Sequence, residues 1–329
     1  MARTRFIKDT GLTARMTLVM FLLGALFVGL IAILMGVAAG SGNTGFVPLI
    51  GIIGLGMAWF QWYNSDTVAL KAMGARVVTP QQAPELHAMI DRLCAMADMP
   101  KPRVAVSDTD MPNAFATGRS PERSAICVTR GLMRRLDAEE LEGVLAHELS
   151  HVAHRDVLVM TMASSAGIVA GMLTQGARFG AIFGGGRGRQ NSGPPFWIIV
   201  LVVSLVVYAV SFFLTRVLSR YRELTADRAA AFLTQKPTAL ASALTKITGD
   251  ISSIPNRDLR GAQAMNAFFI TPAISGMSMK TLTSTHPSLE QRLEQLAKVA
   301  TELGRPMDGG PAGGPGGPGL PPGPQGPHG

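Results

Sequence analysis

The residues with the clearest capacity for chemistry lie in the segment His147-Glu148-Leu149-Ser150-His151, which has the pattern HExxH. On a helix, the two histidines lie four residues apart on one face, where both imidazoles can bind one metal ion. Two neutral histidines, an open coordination position and a glutamate that accepts a proton from water are the minimal apparatus of a zinc peptidase. Because a solvated amphipathic helix can carry the same three polar residues by chance, the surrounding sequence must support this interpretation.

The residues around the motif predict a helix. Asp137 suits the N-cap and Glu140 falls at the capping-box position. No proline interrupts residues 138–166, so nothing here stops the motif helix from continuing into the apolar run that begins at Val157. The motif would then end about 9 Å of helix rise from that run. The sequence therefore predicts a metal close to a membrane surface.

A catalytic zinc needs a third protein ligand. His154 shares the face of the motif but lies ~10 Å along the helix from His147, so one straight helix cannot offer all three ligands. A better candidate lies in residues 219–227, SRYRELTAD, where Glu223 and Asp227 share a helical face. Glu223 can bind zinc while Asp227 accepts the free N–H of a ligand histidine and fixes its tautomer.

The HELSH and SRYRELTAD segments, separated by a hydrophobic hairpin, resemble the HtpX family of membrane-embedded zinc metalloproteases, relatives of the CAAX prenyl endopeptidases. The resemblance includes residues 112–118 (PNAFATG) upstream and residues 285–287 (THP) with Arg292 downstream. It covers nearly the whole chain except the tail, with the motifs in the family's order. It implies one Zn²⁺ per chain, with His147, His151 and Glu223 as ligands.

The resemblance also implies a fold and a mechanism. The expected fold is an α-helical membrane protein with a mainly α, α+β gluzincin-like zinc peptidase domain that carries a small sheet. In the expected mechanism, bound zinc would supply a Lewis acid for water and the scissile carbonyl, and Glu148 would accept the water proton and deliver it to the leaving amine. Asp227 and Arg292 would hold the metal ligands in position without binding the metal themselves.

Short strands are predicted on both sides of a further candidate segment, at residues 104–106 and 125–128. The segment itself comprises Asn113, Ala114, Phe115 and Ala116. Family resemblance makes it an edge strand that binds an extended substrate, because main-chain hydrogen bonds can hold any sequence. An ordinary hairpin strand is the alternative.

His286 begins a motif with two interpretations. In the functional one, His286, with Arg292 as the weaker candidate, stabilises the oxyanion of the tetrahedral intermediate. In the structural one, the segment is a plain capping motif. Both interpretations expect a helix start with Pro287 at the first helical position. We favour the functional interpretation for His286.

Four apolar runs carry no charged residue: 16–39, 45–62, 157–177 and 195–214. Basic residues at positions 3, 5, 8 and 15 precede the first run, so the positive-inside rule places the N-terminus in the cytoplasm. A cleaved signal peptide is disfavoured, because the first run exceeds a normal signal core and a second follows at once. Two helical hairpins are the expected arrangement.

Glu223 must reach the metal that His147 binds, so an even number of spans must separate them. The third and fourth runs satisfy this condition. Arg187 and Arg189 in the loop 180–195 lie on the wrong side for the positive-inside rule. A hairpin that enters the bilayer only partway therefore remains an alternative.

These patterns divide the chain into six parts. They are a basic cytoplasmic N-terminus (1–15), a transmembrane hairpin (16–62), the first part of the protease domain (63–156), a second hairpin (157–214), the second part of the protease domain (215–307) and a disordered Gly/Pro-rich tail (308–329).

Composition narrows the partners and the compartment. The formal net charge of +8 comes from basic residues that flank the apolar runs, without zinc-finger spacing or a basic stripe interleaved with aromatics. It indicates attraction to a lipid bilayer rather than to nucleic acid. Cys94 and Cys127 are too few for a disulfide framework and are expected to be buried, reduced thiols.

The expected function is that of a multi-pass protease of a bacterial-type cytoplasmic (inner) membrane. It would cleave misfolded or damaged membrane proteins at the cytoplasmic face, as part of quality control under stress, and its own tail is a target for self-cleavage. The alternatives are a prenyl-protein endopeptidase and a non-catalytic membrane zinc scaffold or chaperone.

Overall fold

The computed structural model describes residues 10–41, 62–183, 196–253 and 286–307, and the short pieces 52–53, 55–56 and 59–60. Several predictions lie wholly or mostly outside the described residues: the basic N-terminal segment, the second apolar run, the cationic part of the loop 180–195, and the tail with its self-cleavage.

The described helices and strands follow one another along the chain. The helices are α1 (Thr10–Ser41), α2 (Ser65–Ala72), α3 (Pro84–Ala97), α4 (Arg130–Arg135), α5 (Ala138–Ala153), α6 (Asp156–Phe183), α7 (Phe196–Thr234), α8 (Pro237–Ser253) and α9 (Leu289–Glu302). The strands are β1 (Ala75–Val77), β2 (Arg103–Ser107), β3 (Ala114–Ser120) and β4 (Arg123–Thr129).

Three described helices, α1, α6 and α7, are long and apolar enough to cross a membrane. They contain the predicted runs 16–39, 157–177 and all but the first residue of 195–214. Large apolar side chains remain on their outer surfaces; Phe21 is 71% exposed and Val206 is 57% exposed. A helix that is apolar on all sides needs protein or lipid around it, so these surfaces suit a bilayer.

α6 and α7 form a tightly packed antiparallel pair. A Cβ atom added to Gly167 would lie 3.4 Å from Ser211 Cβ, and one added to Gly171 would lie 3.7 Å from the Tyr208 ring. Further along, Thr174 Oγ1 and Ser204 Oγ are 2.9 Å apart. The glycines on the third apolar run therefore allow close helix contact. α6 leads the chain away from the residues expected to form the peptidase domain, and α7 leads it back to them.

The sheet has four strands in the order β1-β2-β4-β3. β2 and β4 are parallel, and the outer strands pair antiparallel. The predicted strands at 104–106 and 125–128 lie within β2 and β4. The candidate segment forms the start of β3, which is an edge strand as predicted.

α5 is the central buried helix. The predicted capping box is present: Glu140 N–H donates to Asp137 Oδ1 at 2.9 Å, and Asp137 N–H donates to Glu140 Oε2 at 3.0 Å. Glu140 Oε1 also accepts from Ser242 Oγ of α8 at 2.6 Å. Val144 and Leu145 are fully buried in the main core. The motif helix is therefore held by the core on one side and by polar contacts at its start.

The motif helix does not continue into the apolar run. α5 ends at Ala153, Arg155 takes a left-handed conformation with φ 56°, and α6 begins at Asp156. The turn is stabilised by the Asp156 carboxylate, which contacts His151 on α5 and pairs with Arg222 on α7. Nothing in the local sequence requires these contacts.

α9 also begins differently from the prediction. Its N-cap is Ser288, which exchanges side-chain and backbone hydrogen bonds with Gln291 in a capping box. Pro287 therefore precedes the cap instead of occupying the first helical position, since the box outweighs the preference for an early proline.

The two cysteines are free and buried, as predicted. Burial raises the pKa of Cys94 to about 11 and that of Cys127 to about 12. Neither thiol is a reactive thiolate at neutral pH.

Candidate metal centre

Three donor side chains from two helices converge at one point. The Nε2 atoms of His147 and His151, both on α5, are 3.2 Å apart. Each lies 3.5 Å from a carboxylate oxygen of Glu223 on α7. Ligand atoms around a tetrahedral zinc with bonds of about 2.0–2.1 Å are separated by roughly 3.3–3.4 Å. The donor spacing is therefore that of a three-ligand zinc site.

The back of His147 rests on a buried ion pair. Its Nδ1 lies 2.9 Å from Asp227 Oδ1. Arg292 of α9 donates to both oxygens of that carboxylate, from Nε at 2.7 Å and from Nη2 at 2.6 Å. Asp227 is 0% exposed and Arg292 is 1% exposed. This arrangement orients the imidazole so that Nε2 faces the other donors.

The back of His151 has a similar support that sequence reasoning missed. Its Nδ1 lies 2.5 Å from Asp156 Oδ2, and the same oxygen lies 2.8 Å from Arg222 Nη2. One signal was available, because an aspartate at the edge of an apolar run is costly in a membrane unless it has a partner or a function. For Arg222 there was no signal beyond its position beside Glu223.

The buried charges around the donors are not balanced among the described residues. Four carboxylates are buried, namely Glu148, Asp156, Glu223 and Asp227, against two guanidinium groups, Arg222 and Arg292. With neutral histidines, two negative charges remain, and uncompensated buried charge is strongly unfavourable. The Oε2 atom of Glu223 is buried without a hydrogen bond. A divalent cation between the donors fits both the charge and the unused oxygen.

The pKa of His147 indicates the same demand for positive charge. Burial by itself lowers this pKa, but the contacts with Asp227 and Glu223 outweigh it and raise the pKa to about 9. The two carboxylates thus favour a positive charge on this imidazole, one from behind it and one from the side of the other donors.

Glu148 lies beside the donors and contacts the edge strand. Its Oε2 accepts the backbone N–H of Ala116 at 2.8 Å, and the side chain is buried. Burial raises the pKa of this carboxyl, against the opposing effect of His147 and His151. A carboxyl with a raised pKa is a stronger base than an ordinary glutamate.

The backbone of β3 presents its free edge to this region. Asn113 C=O accepts from Thr129 N–H, so its polar groups face β4. Residues alternate along a strand, so those of Ala114 and Ala116 face the open edge, where Ala116 already meets Glu148. The Phe115 side chain is buried in the core. Backbone groups, rather than this side chain, are what β3 can offer to a ligand.

His286 and Arg292 approach Glu223 from the start of α9. His286 Nδ1 lies 3.4 Å from Glu223 Oε2, and Arg292 Nη1 lies 3.8 Å from the same oxygen. Both side chains are buried. Because the guanidinium of Arg292 is committed to Asp227, its position suits support of the ligands better than contact with an oxyanion.

Residues 80–300 match peptidase family M48. The chain is also 54% identical to protease HtpX homolog 1 of Streptomyces coelicolor over 303 residues, which are 92% of this chain and 97% of that protein. This chain belongs to the HtpX proteases of family M48. A protease HtpX homolog of Moorella thermoacetica is 51% identical over 92% of this chain and 98% of its own length.

A structural comparison agrees with the fold of these HtpX proteases. The crystal structure of S. mikatae Ste24p superimposes with a TM-score of 0.53 at 18% identity, covering 88% of this chain and 67% of that chain. It supports the mainly helical membrane fold with a small sheet. As an HtpX protease of family M48, the chain is a membrane metalloprotease, which accounts for both the apolar outer surface and the three converging donors.

Proposed function

We propose that the chain is a zinc-dependent endopeptidase that cleaves extended segments of misfolded membrane proteins at the cytoplasmic face, in protein quality control. The observation that carries the proposal is the convergence of His147, His151 and Glu223 at 3.2–3.5 Å beside a buried glutamate and an edge strand. A structural zinc site needs neither a neighbouring base nor an open strand edge.

In this proposal, His147, His151 and Glu223 hold the ion. When bound, zinc supplies a Lewis acid that activates water and polarises a carbonyl oxygen. The imidazole and carboxylate donor set suits zinc, and the two excess negative charges suit a divalent ion.

Glu148 is proposed to move the proton. Its Oε2 is held by Ala116 N–H, so Oε1 is the oxygen available to take a proton from water and pass it to the leaving amine. The raised pKa helps the carboxyl to accept the proton. An extended substrate that pairs with β3 would compete for the Ala116 amide and release Glu148 as it binds.

The substrate backbone is proposed to add to the free edge of β3 at Ala114 and Ala116. Main-chain pairing would hold segments of many sequences, which suits the removal of misfolded proteins. His286 is the proposed oxyanion donor, because it lies on the Glu223 side of the donors. Asp227 and Arg292 are positioning residues for His147.

The cytoplasmic orientation rests on the positive-inside rule and on the α6–α7 pair. α5 and α7 meet at the donors. The hairpin formed by α6 and the first part of α7 must therefore start and finish on the same side of the membrane. Residues 63–156 and 215–307 would form the peptidase domain, although position 215 falls within the continuous helix α7.

Cleavage of an unfolded protein by the purified full-length chain tests the proposal. Glu148→Gln should retain one zinc per chain, measured by elemental analysis, and lose at least 10²-fold in turnover, because general base catalysis typically contributes ~10²–10⁴-fold. Glu223→Ala should lose zinc.

The matched control is Glu142→Gln, on the same helix, whose carboxylate pairs with Arg92 at 2.6 Å and lies outside the donor group. It should retain both zinc and turnover. Equal activity of the wild type and Glu148→Gln would contradict the role of Glu148, and unchanged zinc in Glu223→Ala would remove that residue from the ligands.

A further inference from the structure

A cleft separate from the metal centre lies between the start of α1, the middle of α7, and α9. Its volume is about 680 Å³. Its lining includes Arg15 of α1, Arg220 of α7, and Gln295 and Lys298 of α9. None of the three candidate metal ligands lines it.

The cleft lies at the membrane end of two candidate spans. The span of α1 begins at Ala14, and the uncharged stretch of α7 ends at Arg216. The cleft begins at the next residue of α7, Val217. Lipid headgroups lie at this level of a membrane protein, where tyrosine and arginine side chains are also enriched. Tyr221 lines the cleft, and its ring centroid is 5.9 Å from the guanidinium carbon of Arg15.

The described residues that line the cleft carry an excess of positive charge. Among them are four cationic side chains, Arg15, Arg220, Arg228 and Lys298, and two acidic ones, Glu294 and Glu302. Arg228 donates to both oxygens of Glu302, at 3.0 and 2.8 Å, and Lys298 donates to Glu294 at 2.7 Å. Both acids are therefore engaged on the α9 side, and the excess charge suits an anion.

We propose that this cleft binds the headgroup of an anionic phospholipid, with its phosphate between Arg15 and Arg220. Val217, Leu224 and Tyr221 provide apolar surface for the glycerol and the upper part of the acyl chains. A phosphodiester attached to a membrane lipid meets all of these features, since it brings charge and apolar surface from the correct side.

The bound lipid would also stabilise α9 against α7. Gln295, which lines the cleft, donates to Leu224 C=O at 2.8 Å. One turn earlier on the same helix, Arg292 holds Asp227 behind His147. A lipid bound in the cleft would thus affect the metal centre by holding α9 in position against α7.

Lipid binding can be measured without any assay of turnover, so it fails or succeeds independently of the proposed function. The full-length protein in mild detergent is titrated with phosphatidylglycerol or phosphatidylcholine, and bound lipids are counted by native mass spectrometry. The wild type should bind phosphatidylglycerol more tightly. Arg15→Gln and Arg220→Gln should each weaken that binding about fivefold, since a basic residue near an anionic surface contributes ~1 kcal/mol.

Arg216→Gln is the matched control, because Arg216 is one turn from Arg220 on α7 but rests over the Phe212 ring outside the cleft. It should retain the preference for phosphatidylglycerol. Equal losses in Arg216→Gln and Arg220→Gln would overturn the proposal in favour of general surface attraction. Equal binding of the two lipids by the wild type would overturn it without any variant.

Inorganic phosphate separates the two sources of the anion. Millimolar phosphate should fail to displace phosphatidylglycerol, because it lacks the apolar part, whereas efficient displacement would overturn the assignment to a lipid. In nanodiscs with phosphatidylglycerol, amide hydrogen exchange in residues 289–302 should also be slower than in phosphatidylcholine.

Discussion

His147 and His151 stand on the same face of α5, and each turns Nδ1 to an aspartate held by an arginine, yet the two supports are built differently. The support of His147 joins three helices, because Asp227 belongs to α7 and Arg292 to α9. Asp227 and Arg292 are both buried, and Arg292 donates a hydrogen bond to each carboxylate oxygen.

The support of His151 is partly local. Asp156 lies five residues along the chain and is brought back by the left-handed turn at Arg155. Arg222 and His151 both approach the same oxygen of Asp156, and the His151 side chain is 14% exposed. One helix can therefore present two equivalent ligands through one long-range, buried support and one short-range, more accessible support.

Removal of Arg292 should have the largest effect. Arg292→Ala leaves Asp227 buried without its cation, which typically costs about 3–5 kcal/mol in the free energy of unfolding. Denaturant unfolding of the detergent-solubilised protein would measure it. Arg222→Ala should cost less, because Arg222 pairs with one oxygen of Asp156, whereas Arg292 donates to both oxygens of Asp227 and is more deeply buried. Equal losses in the two variants would show that burial does not separate the two supports.

Neutralising the aspartates should have an intermediate effect. Changes to the partners of metal-binding histidines typically cost 10–100-fold in metal affinity. We expect Asp227→Asn to lower zinc affinity about 100-fold and Asp156→Asn to lower it about tenfold. Competition with a zinc chelator would measure both losses. The opposite order would indicate that the short contact at His151 matters more than the burial of Asp227.

The turn at Arg155 should give the smallest effect. A non-glycine residue in the left-handed region is strained by roughly 1–2 kcal/mol. Arg155→Gly should therefore keep zinc affinity and leave stability unchanged or raise it by up to about 1 kcal/mol. Arg155→Val, which tolerates this conformation poorly, should weaken zinc binding through Asp156. If Val had no effect on zinc, the turn would not be what positions Asp156.

Local signals predicted individual elements well. The capping box of Asp137 and Glu140 predicted the start of the motif helix, and the short strands predicted at residues 104–106 and 125–128 lie within β2 and β4. In both cases, neighbours within a few positions along the chain determine the result. The start of α9 was misplaced because two cap signals, Pro287 and Ser288, were adjacent and competed.

The sequence was sufficient to predict the donor types, their helical spacing and the three described apolar spans, because each depends on residues close together along the chain. The spacing to Glu223 also placed Asp227 behind a ligand histidine, and the structure shows that this histidine is His147. Three features could be seen only in the folded protein. They are the helix break after Ala153, the pairing of Asp156 with Arg222, and the two hydrogen bonds from Arg292 to Asp227. Those contacts join residues up to 66 positions apart, so their energies depend on how the helices pack and on burial that no local pattern encodes.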